Sequence, residues 1–250
     1  MNHFLLACMP KSGSTYLAQI LANMPGMRRE HLVPGYERRE QELCTVRLME
    51  MRQLTGGLLR MWREAGGTAG VKPVGFVAQH HLRFSKPTKV LIDRFELMPI
   101  VLVRNIFDVV PSLYDHVRTH LTLPMAFMDH EFLELDEGKA LDMISDLIIP
   151  WYFNFYVSWS KANIYCVRMS YEDVIADPEA AVANIYRCYE VPWTQEEIAI
   201  ALEQASQTDT RKNKGVVGRG DALPGSVRDR IKRYATYYPG VDFSPIGLSG

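Results

Sequence analysis

The run Pro10-Lys11-Ser12-Gly13-Ser14-Thr15-Tyr16-Leu17 lies directly behind the apolar stretch Phe4 to Met9 and carries the residue types that hold a phosphate. A strand that enters a short Ser/Gly/Thr loop and then opens a helix presents backbone N–H groups, and the positive end of the helix, to an anion. The hydroxyls of Ser12, Ser14 and Thr15 add donors, and Lys11 adds a mobile positive charge. The loop is not a Walker A motif, which needs Gly-Lys-Ser/Thr with a second glycine five residues earlier; here Lys11 stands two residues before the only glycine. Ordinary ATP or GTP hydrolysis is therefore disfavoured. The alternative for this octapeptide alone is a plain strand-turn-helix corner.

A second segment, Val101 to Ser112, repeats the arrangement: an apolar strand, then Arg104, then a helical pattern. Arginine at a strand end can pair with phosphate through two parallel hydrogen bonds. Ser112, eight residues on, can return to the same side as a hydroxyl donor. The competing reading of Arg104 is a surface ion pair with Asp108 at i,i+4. Two anion sites, one after each strand, point to a ligand with two phosphate groups.

Taken together these segments resemble the sulfotransferases that use 3'-phosphoadenosine 5'-phosphosulfate (PAPS). The family's phosphosulfate loop, Pro-Lys-Ser-Gly-Thr-Thr-Trp, matches Pro10 to Tyr16 with Ser14 for Thr and Tyr16 for Trp. Its 3'-phosphate segment, Arg-Asn-Pro-x-Asp-Val-x-x-Ser, matches Arg104, Asn105, Asp108, Val109 and Ser112 at the same spacing. Tyr171-Glu172-Asp173-Val174, followed by Asp177-Pro178, is similar to the family's Tyr-Glu-Asp segment, and Lys214-Gly215-Val216-Val217-Gly218 to its late Lys-Gly-x-x-Gly loop. Asn213 departs from the arginine many members carry before that Lys-Gly pair, with Arg211, Lys212 and Lys214 beside it. Pro111 is a second departure, because proline inside a helix removes a hydrogen bond and bends it.

The resemblance implies sulfuryl transfer from PAPS, released as the bisphosphate PAP, to a hydroxyl or amine of a small-molecule or glycan-like acceptor. It implies Lys11 as the group that stabilises the leaving phosphate, and Ser12, Gly13, Ser14 and Thr15 as the 5'-phosphate cradle. Tyr16 and Tyr171 would meet the adenine, and Arg104, Ser112, Lys214 and Gly215 the 3'-phosphate. His81, in Gln79-His80-His81-Leu82, matches the family's Thr-His-Leu context and is the candidate base, with His80 its rival. An imidazole near its unperturbed pKa suits that role near neutral pH. The acceptor region falls in Arg28 to Glu42, which is polar, and Leu121 to Tyr156, whose aromatic residues also read as core. Two other classes stay open: a small-molecule kinase with an atypical phosphate loop, and a non-catalytic nucleotide-binding protein.

The elements that position these groups alternate as strand and helix, which predicts a parallel sheet in a three-layer α/β/α, P-loop-like sulfotransferase fold. Strands are expected at His3 to Met9, Val71 to Val77, Ile100 to Val103 and Ile164 to Met169. Helices are expected at Tyr16 to Asn23, Arg38 to Ala65, Pro87 to Leu97, Ile106 to His120, in pieces from Met125 to Ser160, from Pro178, and from Pro224 past Tyr234. Each phosphate motif follows the C-terminal end of a strand, where open α/β sheets bind ligands. Gln207 to Leu223 reads as a lid over PAPS, and the Arg219-Gly220-Asp221 triplet within it as chance rather than an adhesion motif.

With 250 residues, 47% of them apolar, the chain reads as one domain over 1–250. A formal charge of −1 carries no basic footprint for nucleic acid. No apolar run approaches a membrane span and the first residues lack a signal-peptide layout, so a cytoplasmic protein is expected. The four cysteines are widely separated and read as reduced thiols, with no metal implied. A homodimer is compatible with this reading.

Overall fold

The computed structural model describes residues 2–32, 43–67, 70, 72–119, 130–208 and 217–248. The elements run β1 (Asn2–Cys8), α1 (Ser14–Asn23), β2 (Arg29–Glu30), α2 (Thr45–Glu64), β3 (Gly75–His80), α3 (Lys86–Phe95), β4 (Leu97–Val103) and α4 (Ile106–Thr119). They continue as α5 (His130–Glu134), α6 (Glu137–Leu147), α7 (Ile149–Ser160), β5 (Val167–Ser170), α8 (Tyr171–Ala176), α9 (Pro178–Cys188), α10 (Gln195–Ser206) and α11 (Gly225–Ala235). Two 3-10 turns, Arg219–Ala222 and Ser244–Ile246, flank α11.

Every strand pairing is parallel, in the order β2-β3-β1-β4-β5. Strand β1 is central and covered on both faces, which is why Phe4 to Met9 is an unbroken apolar run rather than an alternating one. Phe4, Leu6 and Cys8 face a layer built from α1, α9 and α10 through Leu17, Val182, Ile185 and Ile198. Leu5, Ala7 and Met9 face the opposite layer, with Ile92 of α3, Leu113 of α4, Ile144 of α6 and Phe155 of α7. This is the three-layer α/β/α sandwich the strand-helix alternation predicts.

Several boundaries differ from expectation. The strand expected at Val71 to Val77 is Gly75–His80: Pro73 has no N–H to give a ladder, and the Val74 N–H is spent on the Gly26 carbonyl at 2.9 Å. The shift brings Gln79 and His80 into the strand and leaves His81 at its end. Strand β4 begins at Leu97, not Ile100, and runs through Pro99. That proline is tolerated because β5 pairs only from Ile100 onward, so no ladder bond is missing on that side. Helix α10 was not expected at all; its sequence signal is the capping box Thr194–Glu197, where each side chain accepts from the other residue's backbone N–H.

Helix α4 runs through Pro111 from Ile106 to Thr119. Proline at 111 cannot donate to the Phe107 carbonyl, and Gly220 packs against that peptide. A Cβ on Gly220 would lie 2.5 Å from Phe107 Cβ and 2.6 Å from its carbonyl carbon. Both are parts of a helix that cannot yield, so Gly220→Ala is expected to destabilise the fold by about 1–3 kcal/mol, read as a lowered Tm in thermal unfolding.

His3 is buried, stacked on Phe76 with ring centroids 4.4 Å apart. Burial, then the nearby chain terminus, lowers its pKa to about 4. The unfolded chain therefore binds the extra proton between roughly pH 6.5 and 4, and stability falls as pH drops through that window. His3→Phe is expected to flatten this part of the stability-pH curve, a change of about 1–3 kcal/mol at its acid end.

Among the described residues no helix is long and apolar enough to cross a membrane, the four cysteines are free thiols, and no three His, Cys, Asp or Glu side chains gather as metal ligands.

Candidate active site

The chain leaves β1 at Cys8 and turns back on itself before α1. Ser12 Oγ donates to the Met9 carbonyl at 2.6 Å, Lys11 takes a left-handed backbone conformation at φ 63°, and Gly13 follows at φ 71°. The turn is braced from outside: Tyr152 Oη of α7 donates to the Pro10 carbonyl at 3.1 Å, and Arg104 Nη1 donates to the Lys11 carbonyl at 2.8 Å. The N–H groups of Gly13, Ser14 and Thr15 meet no acceptor among the described residues. Three unsatisfied donors at the start of α1 are what an anion cradle at this loop requires.

The hydroxyls differ in what they have left to give. Ser12 has committed its proton to Met9. Ser14 Oγ instead accepts from Gln79 Nε2 at 2.7 Å, and Gln79 Oε1 accepts from Arg29 at 2.7 Å. This Arg29–Gln79–Ser14 chain leaves the Ser14 proton to be donated to a ligand. Gln79 is a site residue that the motif comparison passes over; the signal for it is a lone amide in an otherwise buried strand.

Arg104 is 5% exposed. Its guanidinium lies 4.2 Å from the centroid of the Tyr171 ring, and that ring packs on Gly13, where a Cβ would be 2.6 Å from Tyr171 Cδ2. Glycine is required at 13 by both this contact and its positive φ. Arg104 and Asp108 do not form the alternative ion pair. The Asp108 carboxylate accepts the N–H groups of Gly218 at 2.8 Å and Gly220 at 2.7 Å, while Arg219 pairs with Asp115 at 2.7 Å. The Arg219-Gly220-Asp221 triplet thus serves to dock the chain on α4. Ser112 is buried and its Oγ has no partner among the described residues. Lys214 and Gly215, with Arg211, Lys212 and Asn213, lie outside the described residues, as does the rest of 209–216 in the lid segment.

His81 follows β3 beside the end of β1, since Ala7 is in register with His80. Its Nδ1 lies 2.9 Å from the Cys8 carbonyl oxygen and 3.4 Å from Cys8 Sγ. A carbonyl can only accept, so Nδ1 carries a proton, and in the neutral ring the lone pair is then on Nε2, the tautomer a base needs. His81 is half-buried, whereas His80 is 1% exposed. Tyr16 is half-buried, and burial pushes its phenol pKa up.

In the two expected acceptor regions, Arg28 pairs with Glu30 at 2.7 Å, and residues 33–42 and 121–129 lie outside the described residues. Phe132, Tyr152, Phe153, Phe155 and Tyr156 are core, so the aromatic cluster acts by packing and, through Tyr152, by supporting the cradle. A cavity of about 510 Å³ opens beside β4 and β5, lined by Val101, Asn105, Tyr156, Trp159 and Glu172 among others. His81 is not among its lining residues. Burial raises the pKa of Glu172, which accepts from the Asn105 N–H at 3.2 Å.

A five-stranded parallel sheet covered by helices on both faces, with a serine-rich turn after its central strand and an arginine after the neighbouring one, is the arrangement the structure presents. The chain belongs to the sulfotransferase family: the sulfotransferase domain model matches residues 1–217. No curated protein matches its sequence. Among solved structures it is similar to mouse sulfotransferase SULT7A1 complexed with PAP, at 16% identity and TM-score 0.62 over 94% of this chain and 84% of that one. Retinol dehydratase in complex with androsterone and the inactive cofactor PAP gives 16% identity and TM-score 0.56, covering 94% and 80%. Sulfotransferase STF1 from Mycobacterium tuberculosis H37Rv gives 13% and 0.51, covering 94% and 76%.

Proposed function

We propose that this protein, as one domain over 1–250, transfers the sulfuryl group of PAPS to a hydroxyl or amine of a small-molecule or glycan-like acceptor. The observation that carries the reading is the pairing of three acceptor-less N–H groups, at Gly13, Ser14 and Thr15, with an imidazole held in its basic tautomer on the adjoining strand end. When bound, PAPS supplies the sulfuryl group and leaves as PAP. The residues present suit a donor with two phosphates, because Ser112 Oγ is a second buried donor without a partner among the described residues, two helical turns from Arg104.

His81 takes the acceptor's proton at Nε2 as the acceptor oxygen or nitrogen turns nucleophilic. Lys11 and the cradle N–H groups offset the negative charge that develops on the departing phosphate. Gln79 holds Ser14 as a donor to the same oxygens, and Tyr171, anchored by Gly13 and Arg104, offers an edge to the adenine.

The test is a calorimetric titration with PAP beside AMP, and ATP with magnesium, at one ionic strength. PAP is expected to bind, with AMP about 10–100-fold weaker because the 3'-phosphate contacts at Arg104 and Ser112 are charge-assisted. Failure of PAP to bind, or tighter binding of ATP with magnesium, overturns the reading in favour of a kinase.

A further inference from the structure

A second cavity, of about 460 Å³, lies at the opposite end of the sheet from the cradle. Helix α1 begins at the cradle and ends against this cavity, which Met24 and Pro25 line together with Asn2 at the start of β1. Its walls are apolar, with Leu59 of α2, Val74 and Val191. Five polar residues interrupt them: Asn2, Arg63, Lys72, Tyr186 and Glu197. Tyr186 of α9 is 3% exposed, and its Oη has no hydrogen-bond partner among the described residues. Arg63 and Lys72 line the same cavity, and neither forms an ion pair among the described residues.

A buried hydroxyl without a partner is costly, and native proteins retain few of them. Burial and then Glu197 push the Tyr186 pKa up, so the phenol remains a proton donor. Glu197 is the one carboxylate at the cavity, and it accepts the Thr194 N–H at 2.8 Å in the α10 capping box. A buried donor among apolar side chains, with the exposed Arg63 and Lys72 at the rim, suits an acceptor bearing negative charge on an apolar body. The larger cavity beside β5 lacks this signature: Glu172, Arg168, Asp173 and Ser244 there are each already hydrogen-bonded within the protein.

We propose that this cavity is a binding site for a small amphipathic organic acid, whose anionic group meets Tyr186 Oη, Arg63 and Lys72 while its apolar body packs on Met24, Leu59, Val74 and Val191. The volume falls in the range of small-molecule sites. The site is separate from the cradle and does not depend on the reading of the reaction.

The test is calorimetric titration with octanoate and 4-phenylbutyrate, with octanol and octylamine as controls, on the wild-type protein, Tyr186→Phe and the double variant Arg63→Ala/Lys72→Ala. Saturable one-to-one binding of at least one acid is expected, with octanol about tenfold or more weaker and octylamine not binding. Tyr186→Phe keeps the ring, should leave the Tm of the free protein equal or higher, and is expected to weaken the acid about tenfold; the double variant should weaken it further. The proposal is overturned if neither acid binds saturably, if octanol binds as tightly, or if Tyr186→Phe leaves affinity unchanged because water satisfies the hydroxyl. Displacement of the acid by PAP would also overturn it, by placing the acid in the cradle.

Discussion

His81→Ala is expected to lower kcat for sulfuryl transfer by about 10²–10⁴ while leaving PAP affinity within a few-fold of wild type. The base acts on the acceptor's proton in the transition state and has no contact to make with a bound product nucleotide, so the loss belongs in kcat rather than in donor binding. The Cys8 carbonyl that orders Nδ1 is backbone and survives the substitution, which keeps the cradle in place as an internal control. His80→Ala should behave differently: the side chain is buried on β3, and its loss should appear as reduced stability. Steady-state kinetics with calorimetry on both variants separates the roles, and unchanged kcat in His81→Ala would remove the base assignment.

Lys11→Ala is expected to cost about 10²–10³ in kcat and to weaken PAP by a smaller factor. Braces reach the loop through the carbonyls of Pro10 and Lys11 and through Ser12 Oγ, which the substitution leaves in place. Alanine removes the charge and, at φ 63°, carries the same left-handed backbone cost that lysine already bears. Lys11→Arg is the informative companion, because it restores charge with a different reach. If Lys11→Ala retains full turnover, the leaving-group role passes to the N–H groups alone.

The cradle and the Arg104 strand are legible in the sequence because their signals are local, each an apolar strand followed at once by small polar or basic residues. The central strand is legible for the same reason. Strand β3 is misplaced because its register depends on Val74 bonding across to Gly26, a contact 48 residues away that composition does not announce. That register also buries His80 within the strand and leaves His81 at its end. Asp108 matches a motif, but its work of accepting two backbone N–H groups from beyond residue 217 is visible only in three dimensions. The aromatic stretch before Ser160 is core by its burial, which pattern alone leaves balanced against a pocket, and α10 escapes a reading that follows apolar periodicity and passes over a Thr-x-x-Glu cap.

The latch at Asp108 joins groups 110 and 112 positions apart in the chain, and the Arg104 bond to Lys11 spans 93. Contacts of such high sequence separation close late, after the loops between them have surrendered their entropy. The loop after β1 gains its Arg104 brace only once β4 has paired, and the Asp108 carboxylate is satisfied only once residues 218–220 have docked on α4. A chain shortened before residue 218 therefore keeps the loop and its Arg104 brace but leaves the buried Asp108 carboxylate without those two donors, so an ordered α4 becomes a report that the distant segment has docked.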